Sequence, residues 1–241
     1  MNTQKTIDLL VEMKLTGMAA AYQAMTEEPE HKLPPLHLAI AKLAEAEQLA
    51  RQQKKSKTFL KLSKVRYHVK MEEIICSPER NLSEETLALL CEGNYITKGQ
   101  NVLITGATGT GKSFLASALV DQACLQGFKS ICHPMLTFIE TIKKSKQDGK
   151  YLLILEQIKK CPVLVLDDWG LHPMDHAVKA ALLQILEDRY GRGTVIITSQ
   201  LPVKSWHAYL DEPTIADAIM DRLTAKAHRI DLKGESLRNK T

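Results

Sequence analysis

The chain has 241 residues, enough for one full α/β core and a smaller accessory region. Its 44% hydrophobic and 25% charged content sits near globular averages and excludes wholesale disorder, while a net charge of +4 is too mild to define a partner. No apolar run approaches the ~18 residues needed to cross a bilayer, and Asp8 and Glu12 interrupt the first apolar segment, so neither a membrane span nor a signal peptide is expected.

Ile7, Leu10, Val11, Leu15 and Met18 recur at helical spacing, and Leu36, Ile40, Leu43 and Ala44 repeat the pattern. Glu27–Pro35, with three prolines, reads as the connection between these helices. The next stretch holds Arg51, Lys54, Lys55, Lys57, Lys61, Lys64, Arg66 and Lys70 and no acidic residue. Phe59, Leu62, Val65 and Val69 run through it at helix-compatible spacing, so a helix with one apolar stripe is expected through Lys70. Cys76–Gln100, with Pro78 and Gly93, reads as a lead-in to the main domain.

From Asn101 onward short apolar runs alternate with amphipathic segments. Strands are expected at Val102–Ile104, Ser130–Cys132, Val163–Leu166, Thr194–Thr198 and Arg229–Leu232. Helices are expected at Ser113–Gln126, within Met135–Lys160 and around Ala177–Tyr190. Strands apolar on both faces and separated by helices imply an α/β fold, a mostly parallel sheet flanked by helices. The expected organisation is a small helical domain over residues 1–70, with its basic segment at 51–70, and an α/β domain over residues 71–241.

Gly106, Ala107, Thr108, Gly109, Thr110, Gly111, Lys112 and Ser113 fit G-x-x-x-x-G-K-[ST] at every fixed position, with Phe114 next in the chain. Several backbone N–H groups must turn inward around a phosphate chain, which requires residues without Cβ hindrance. The following helix adds its unpaired N–H groups and positive dipole end. Lys112 supplies a mobile charge for the β- and γ-phosphates, and the Ser113 hydroxyl can ligate Mg²⁺. Downstream, the apolar run Val163–Leu166 ends in Asp167 and Asp168. At the carboxyl end of a parallel strand, Asp167 is expected to face the same Mg²⁺ and Asp168 to orient or deprotonate the attacking water. ATP or GTP, with Mg²⁺, is therefore the expected ligand.

The strings GATGTGKS, LVLDDWG, VIITSQLPVKSWHAYL and DRLTAKAHRIDLKGESLR, with DLLVEMKLTGMAAAYQ near the start, resemble the IstB-type ATPases over essentially the whole chain. These are transposition helpers of bacterial insertion sequences, related to DnaC-type helicase loaders within the AAA+ group. The resemblance implies a P-loop NTPase fold and three further roles. Gln200 falls at the position sensing the γ-phosphate, Arg222 at that of an arginine finger reaching a neighbouring subunit's ATP, and Arg238 at a second sensor of its own nucleotide. Where many AAA+ proteins carry Asp-Glu, this chain has Asp167-Asp168, whose shorter reach allows for slow hydrolysis. Gln200 stands where asparagine is more usual.

The basic residues Arg51, Lys54, Lys55, Lys57, Lys61, Lys64 and Arg66 would form a positive face that grips phosphate backbones with little sequence preference. The resemblance adds duplex DNA, self-association with ATP at subunit interfaces and a cognate transposase as partners. Its readings in order are a transposition helper, a replicative helicase loader and a nucleotide-gated scaffold with negligible turnover. His172 and His176 stand four apart, but Pro173 spoils their shared face, and Trp169 and Trp206 read as packing residues. Five cysteines without a C-x-x-C pair fit a reducing, cytoplasmic setting.

Overall fold

The computed structural model describes residues 3–237 and divides into two compact units between Thr58 and Phe59. In the amino-terminal unit, α1 (Thr3–Glu12) and α2 (Thr16–Glu27) precede α3 (Leu36–Ser63), the long helix that carries the boundary. α2 has no capping side chain of its own at Leu15. Instead the Glu47 carboxylate of α3 accepts the Gly17 and Met18 N–H groups at 2.8 and 3.2 Å, satisfying two orphan donors of that helix start.

The basic stretch is helical only to Ser63, where the Ser63 hydroxyl turns back onto the Leu60 carbonyl. Lys64 then takes a left-handed φ of 57°. Beyond it the Asp121 carboxylate accepts the Val69 N–H at 2.9 Å and pairs with His68 Nδ1 at 3.2 Å, while Val69 is buried. The helix-like spacing of Val65 and Val69 thus reflects anchoring of a non-helical segment in the core. Phe59–Lys70, expected in the first domain, belongs to the second unit, because Phe59, Leu60, Val65 and Val69 pack into its core.

That unit continues through α4 (Glu84–Cys91), α5 (Asn94–Thr97), β1 (Val102–Gly106), α6 (Lys112–Leu125), β2 (Ser130–Pro134), α7 (Met135–Gln147) and α8 (Tyr151–Lys159). It ends with β3 (Val163–Trp169), α9 (His176–Arg189), β4 (Thr194–Ser199), α10 (Trp206–Leu210), α11 (Pro213–Thr224) and β5 (His228–Leu232). The helical pattern expected over 135–160 is broken at Gly149, whose φ is 68°.

The five strands form one parallel sheet in the order β2-β3-β4-β1-β5, with Val102 opposite Ile196 and His228, and Val163 opposite Ser130 and Thr194. Side chains alternate between two faces. Leu103, Leu164, Leu166, Val195 and Ile197 enter one core with residues of α7, α8, α9, α10 and α11. Val102, Ile104, Val163, Val165 and Ile196 enter the other with α6 and the lead-in segment. Both faces are covered, which is why these strands read as uninterrupted apolar runs. Trp169 and Trp206 are fully buried with ring centroids 5.4 Å apart. Among the described residues no helix is long and apolar enough to cross a membrane.

Candidate nucleotide site

Because all strands are parallel, the carboxyl ends of β1, β3 and β4 meet at one sheet edge. The glycine-rich loop Gly106–Gly111 leaves β1 there and enters α6. Gly111 caps α6 with φ 87°, a left-handed conformation that L side chains adopt only with strain. Gly109, at φ 85°, lies so close to Ser236 that a Cβ would sit 2.2 Å from the Ser236 hydroxyl. Unlike α4 and α9, capped by Ser83 and Asp175, α6 has neither a capping side chain nor an acid in its first turn. Its leading N–H groups and positive dipole end are therefore left for an anion.

The side chains of this edge are tied to one another. Lys112 Nζ donates to the Ala107 carbonyl at 2.8 Å, and Thr108 Oγ1 donates to Gln200 Oε1 at 2.8 Å. Ser113 Oγ donates to Asp167 Oδ1 at 2.8 Å, and the same oxygen accepts from Thr198 Oγ1. A register shift between Leu166 and Trp169 marks a bulge in β3, and there Asp168 turns to φ 63° with its N–H donating to Thr198 Oγ1 at 3.0 Å. The bulge gives two consecutive aspartates different surroundings: the Asp167 carboxylate meets Ser113 and Thr198, and Asp168 is bound to Thr198 through its backbone. Burial pushes the Asp168 carboxyl above the usual aspartate range and the Asp167 charge adds to this, while Lys112, Arg66 and His172 pull it back.

A cavity of about 480 Å³ lies against this edge, a volume suited to a small-molecule ligand. Its polar side is formed by Thr108, Gly109, Lys112, Ser113, Asp168 and Gln200, and its apolar side by Ile74, Ile75, Leu82, Phe114 and Leu237. A larger open cleft of about 780 Å³, between Ser77–Thr86 and β5, holds neither the loop nor the carboxylates of β3. The smaller cavity is the one with chemistry in it.

Apart from Phe114, the apolar side was not legible in the sequence, since it comes from Ile74, Ile75 and Leu82 upstream of β1 and from Leu237. Arg80, in that segment, reaches the loop by donating to the Thr110 carbonyl at 2.9 Å. Leu237 N–H donates to the Gly109 carbonyl at 3.0 Å. Arg222 does not line the cavity; it pairs with Glu187 at 3.1 Å and donates to the Ala218 carbonyl. Arg238 lies outside the described residues.

Of the basic residues, Arg51 is held by Glu47 at 2.7 Å, an acid just upstream of the stretch. Lys54, Lys55, Lys57 and Lys61 are exposed on α3, and Lys64 is exposed just past its end. Arg66 stands apart from them: it lies over the Tyr67 ring at 5.4 Å, and Tyr67 lines the 480 Å³ cavity. His176 pairs with Glu212 at 2.7 Å rather than facing His172. Among the described residues no three His, Cys, Asp or Glu side chains converge as a metal cage. The Ser113–Asp167 pair has the donor set that suits Mg²⁺, which takes one or two protein oxygens and leaves its other positions to phosphates and water.

The family described as IstB-like ATP binding protein matches residues 8–241. An insertion-sequence ATP-binding protein of Sinorhizobium fredii is 39% identical over 97% of this chain and 95% of its own length. The insertion sequence IS1162 ATP-binding protein of Pseudomonas fluorescens is 33% identical over 84% of this chain and 88% of its own. Among solved structures, DnaI superposes with a TM-score of 0.59 at 19% identity, over 73% of this chain and 94% of that one. AMPPCP-bound DnaA from Aquifex aeolicus superposes with a TM-score of 0.60 at 18% identity, over 73% and 53% respectively. These two likenesses concern the fold.

Proposed function

The chain belongs to the IstB-like ATP-binding protein family, with a P-loop ATPase fold of the AAA+ type, and from that premise we propose that it is a transposition helper that assembles on duplex DNA with ATP between its subunits. In this reading it presents the bound DNA to a transposase, and hydrolysis releases the assembly. The observation that carries the nucleotide part is the convergence of Lys112, Ser113, Asp167 and Asp168 beside an uncapped helix start. The insertion-sequence names of the relatives support the biological part.

The chemistry follows from the side chains. A triphosphate takes the inward N–H groups of Gly106–Ser113, and Lys112 exchanges the Ala107 carbonyl for phosphate oxygens. Ser113 and Asp167 would hold Mg²⁺, which supplies charge neutralisation at the β- and γ-oxygens. Asp168 accepts the proton of the attacking water, and Gln200, already against the loop through Thr108, reads the γ-phosphate. The base lies on the apolar wall of Ile74, Ile75, Leu82 and Leu237. Arg222 leaves Glu187 to reach a neighbour's nucleotide, and Arg238 contacts the subunit's own. The DNA grip comes from the exposed lysines of α3 and is indifferent to sequence.

The test is electron microscopy and sedimentation of the purified protein with duplex DNA, with and without a non-hydrolysable ATP analogue. ATP-dependent assembly on the duplex, abolished in Lys112→Ala, is the expected result. Preference for single strands together with capture of a hexameric helicase would replace this reading with that of a helicase loader.

A further inference from the structure

Arg80 occupies an unusual position between the two sides of the nucleotide cavity. Its backbone is fixed from both directions: its N–H donates to Ser77 Oγ at 3.3 Å, and its carbonyl accepts from the Lys233 N–H at 3.1 Å. From that anchor the guanidinium makes two hydrogen bonds of equal length. Nη1 donates to the Ile75 carbonyl at 2.9 Å and Nη2 to the Thr110 carbonyl at 2.9 Å. Ile75 is part of the apolar wall, whereas Thr110 is part of the phosphate loop. Among the described residues no carboxylate pairs with Arg80, so its charge is met by main-chain oxygens alone.

A planar fork with two parallel donors fixes the separation of the groups it binds, which a single rotating ammonium does not. We propose that Arg80 is a positioning residue for nucleotide binding, its guanidinium holding the wall at Ile75 and the loop at Thr110 at one separation so that base and triphosphate are recognised jointly. The proposal rests on the nucleotide reading above and adds a property to it. The gain in affinity that the base brings to a bound triphosphate depends on this fork. Without it the wall and the loop respond to their ligands independently.

The experiment compares Kd for ATP and for inorganic tripolyphosphate by calorimetry, with magnesium, in the full-length wild type, Arg80→Lys and Arg80→Met. Thermal denaturation is recorded alongside. The wild type is expected to bind ATP more tightly than tripolyphosphate. In both variants that ratio is expected to shrink by about tenfold, the scale of coupling within one hydrogen-bond network. A purely structural role would lower the melting temperature and both affinities together while leaving the ratio intact, and that result overturns the proposal. So does an unchanged ratio in Arg80→Lys, which would make charge sufficient. A wild type that binds tripolyphosphate but gains nothing from the base overturns it too. A wild type that binds neither ligand refutes the nucleotide reading beneath it as well.

Discussion

Asp168 combines two costs at one residue: a left-handed backbone, and a carboxyl raised in proton affinity by burial and by Asp167. An aspartate raised in the fold contributes stability below its unfolded value of 3.8, and that contribution is lost as pH rises through the folded value. At neutral pH the ionised carboxylate is therefore a burden on the resting protein. Asparagine tolerates the same backbone and carries no charge. In Asp168→Asn the melting temperature should rise at pH 7, while ATP turnover falls by roughly two orders of magnitude, the range for loss of a general base. Binding of ATP should be little changed, and the acid limb of wild-type turnover should lie above the range of an ordinary aspartate. A variant that hydrolyses ATP at the wild-type rate would remove the assignment. The phosphate loop and Asp167 were legible because their pattern is local in sequence. Thr198 and Arg80 were not, because what identifies them is a partner 31 and 30 residues away.

At the level of elements, the opposite edge of the sheet is held by Arg189, the last residue of α9. Its guanidinium is buried and donates to the carbonyls of Ile158, Cys161, Pro162 and Thr194, joining the entries to β3 and β4. Burial lowers its proton affinity to about 10. Arg189→Ala removes four charged hydrogen bonds, although the Ile158 and Pro162 carbonyls still accept from the Cys161 and Thr194 N–H groups, and should cost ~3 kcal/mol in chemical denaturation. Since this edge is the amino end of strands whose carboxyl ends carry the proposed site, affinity for ATP in the folded fraction should stay near that of the wild type. A large loss of ATP affinity without destabilisation would contradict that separation. The strands β1, β3 and β4 were legible as continuous apolar runs. The end of α3 was not, because Val65 and Val69 keep helical spacing while Asp121, far along the chain, pins the backbone out of the helix.

At the scale of the molecule, the expected basic face is smaller than composition implies. Arg51 is engaged by Glu47, and Arg66 stands over the nucleotide-cavity residue Tyr67. Lys54, Lys57 and Lys61 remain at helix-face spacing on α3, all exposed. Replacing these three by glutamate should weaken duplex binding and reduce the slope of log affinity against log salt by ~0.9 per lost phosphate contact. Unaltered affinity and slope would locate the DNA grip elsewhere. One consequence of the strand order reaches into biosynthesis. β1 precedes the loop in the chain, yet it pairs only with β4 and β5, and the Gly109 carbonyl waits for Leu237. On the ribosome, the emerging loop therefore has no frame to hold its shape until nearly all the remaining polypeptide has been made. A nascent chain halted before β4 carries the complete phosphate-loop sequence but neither of the strands that flank β1.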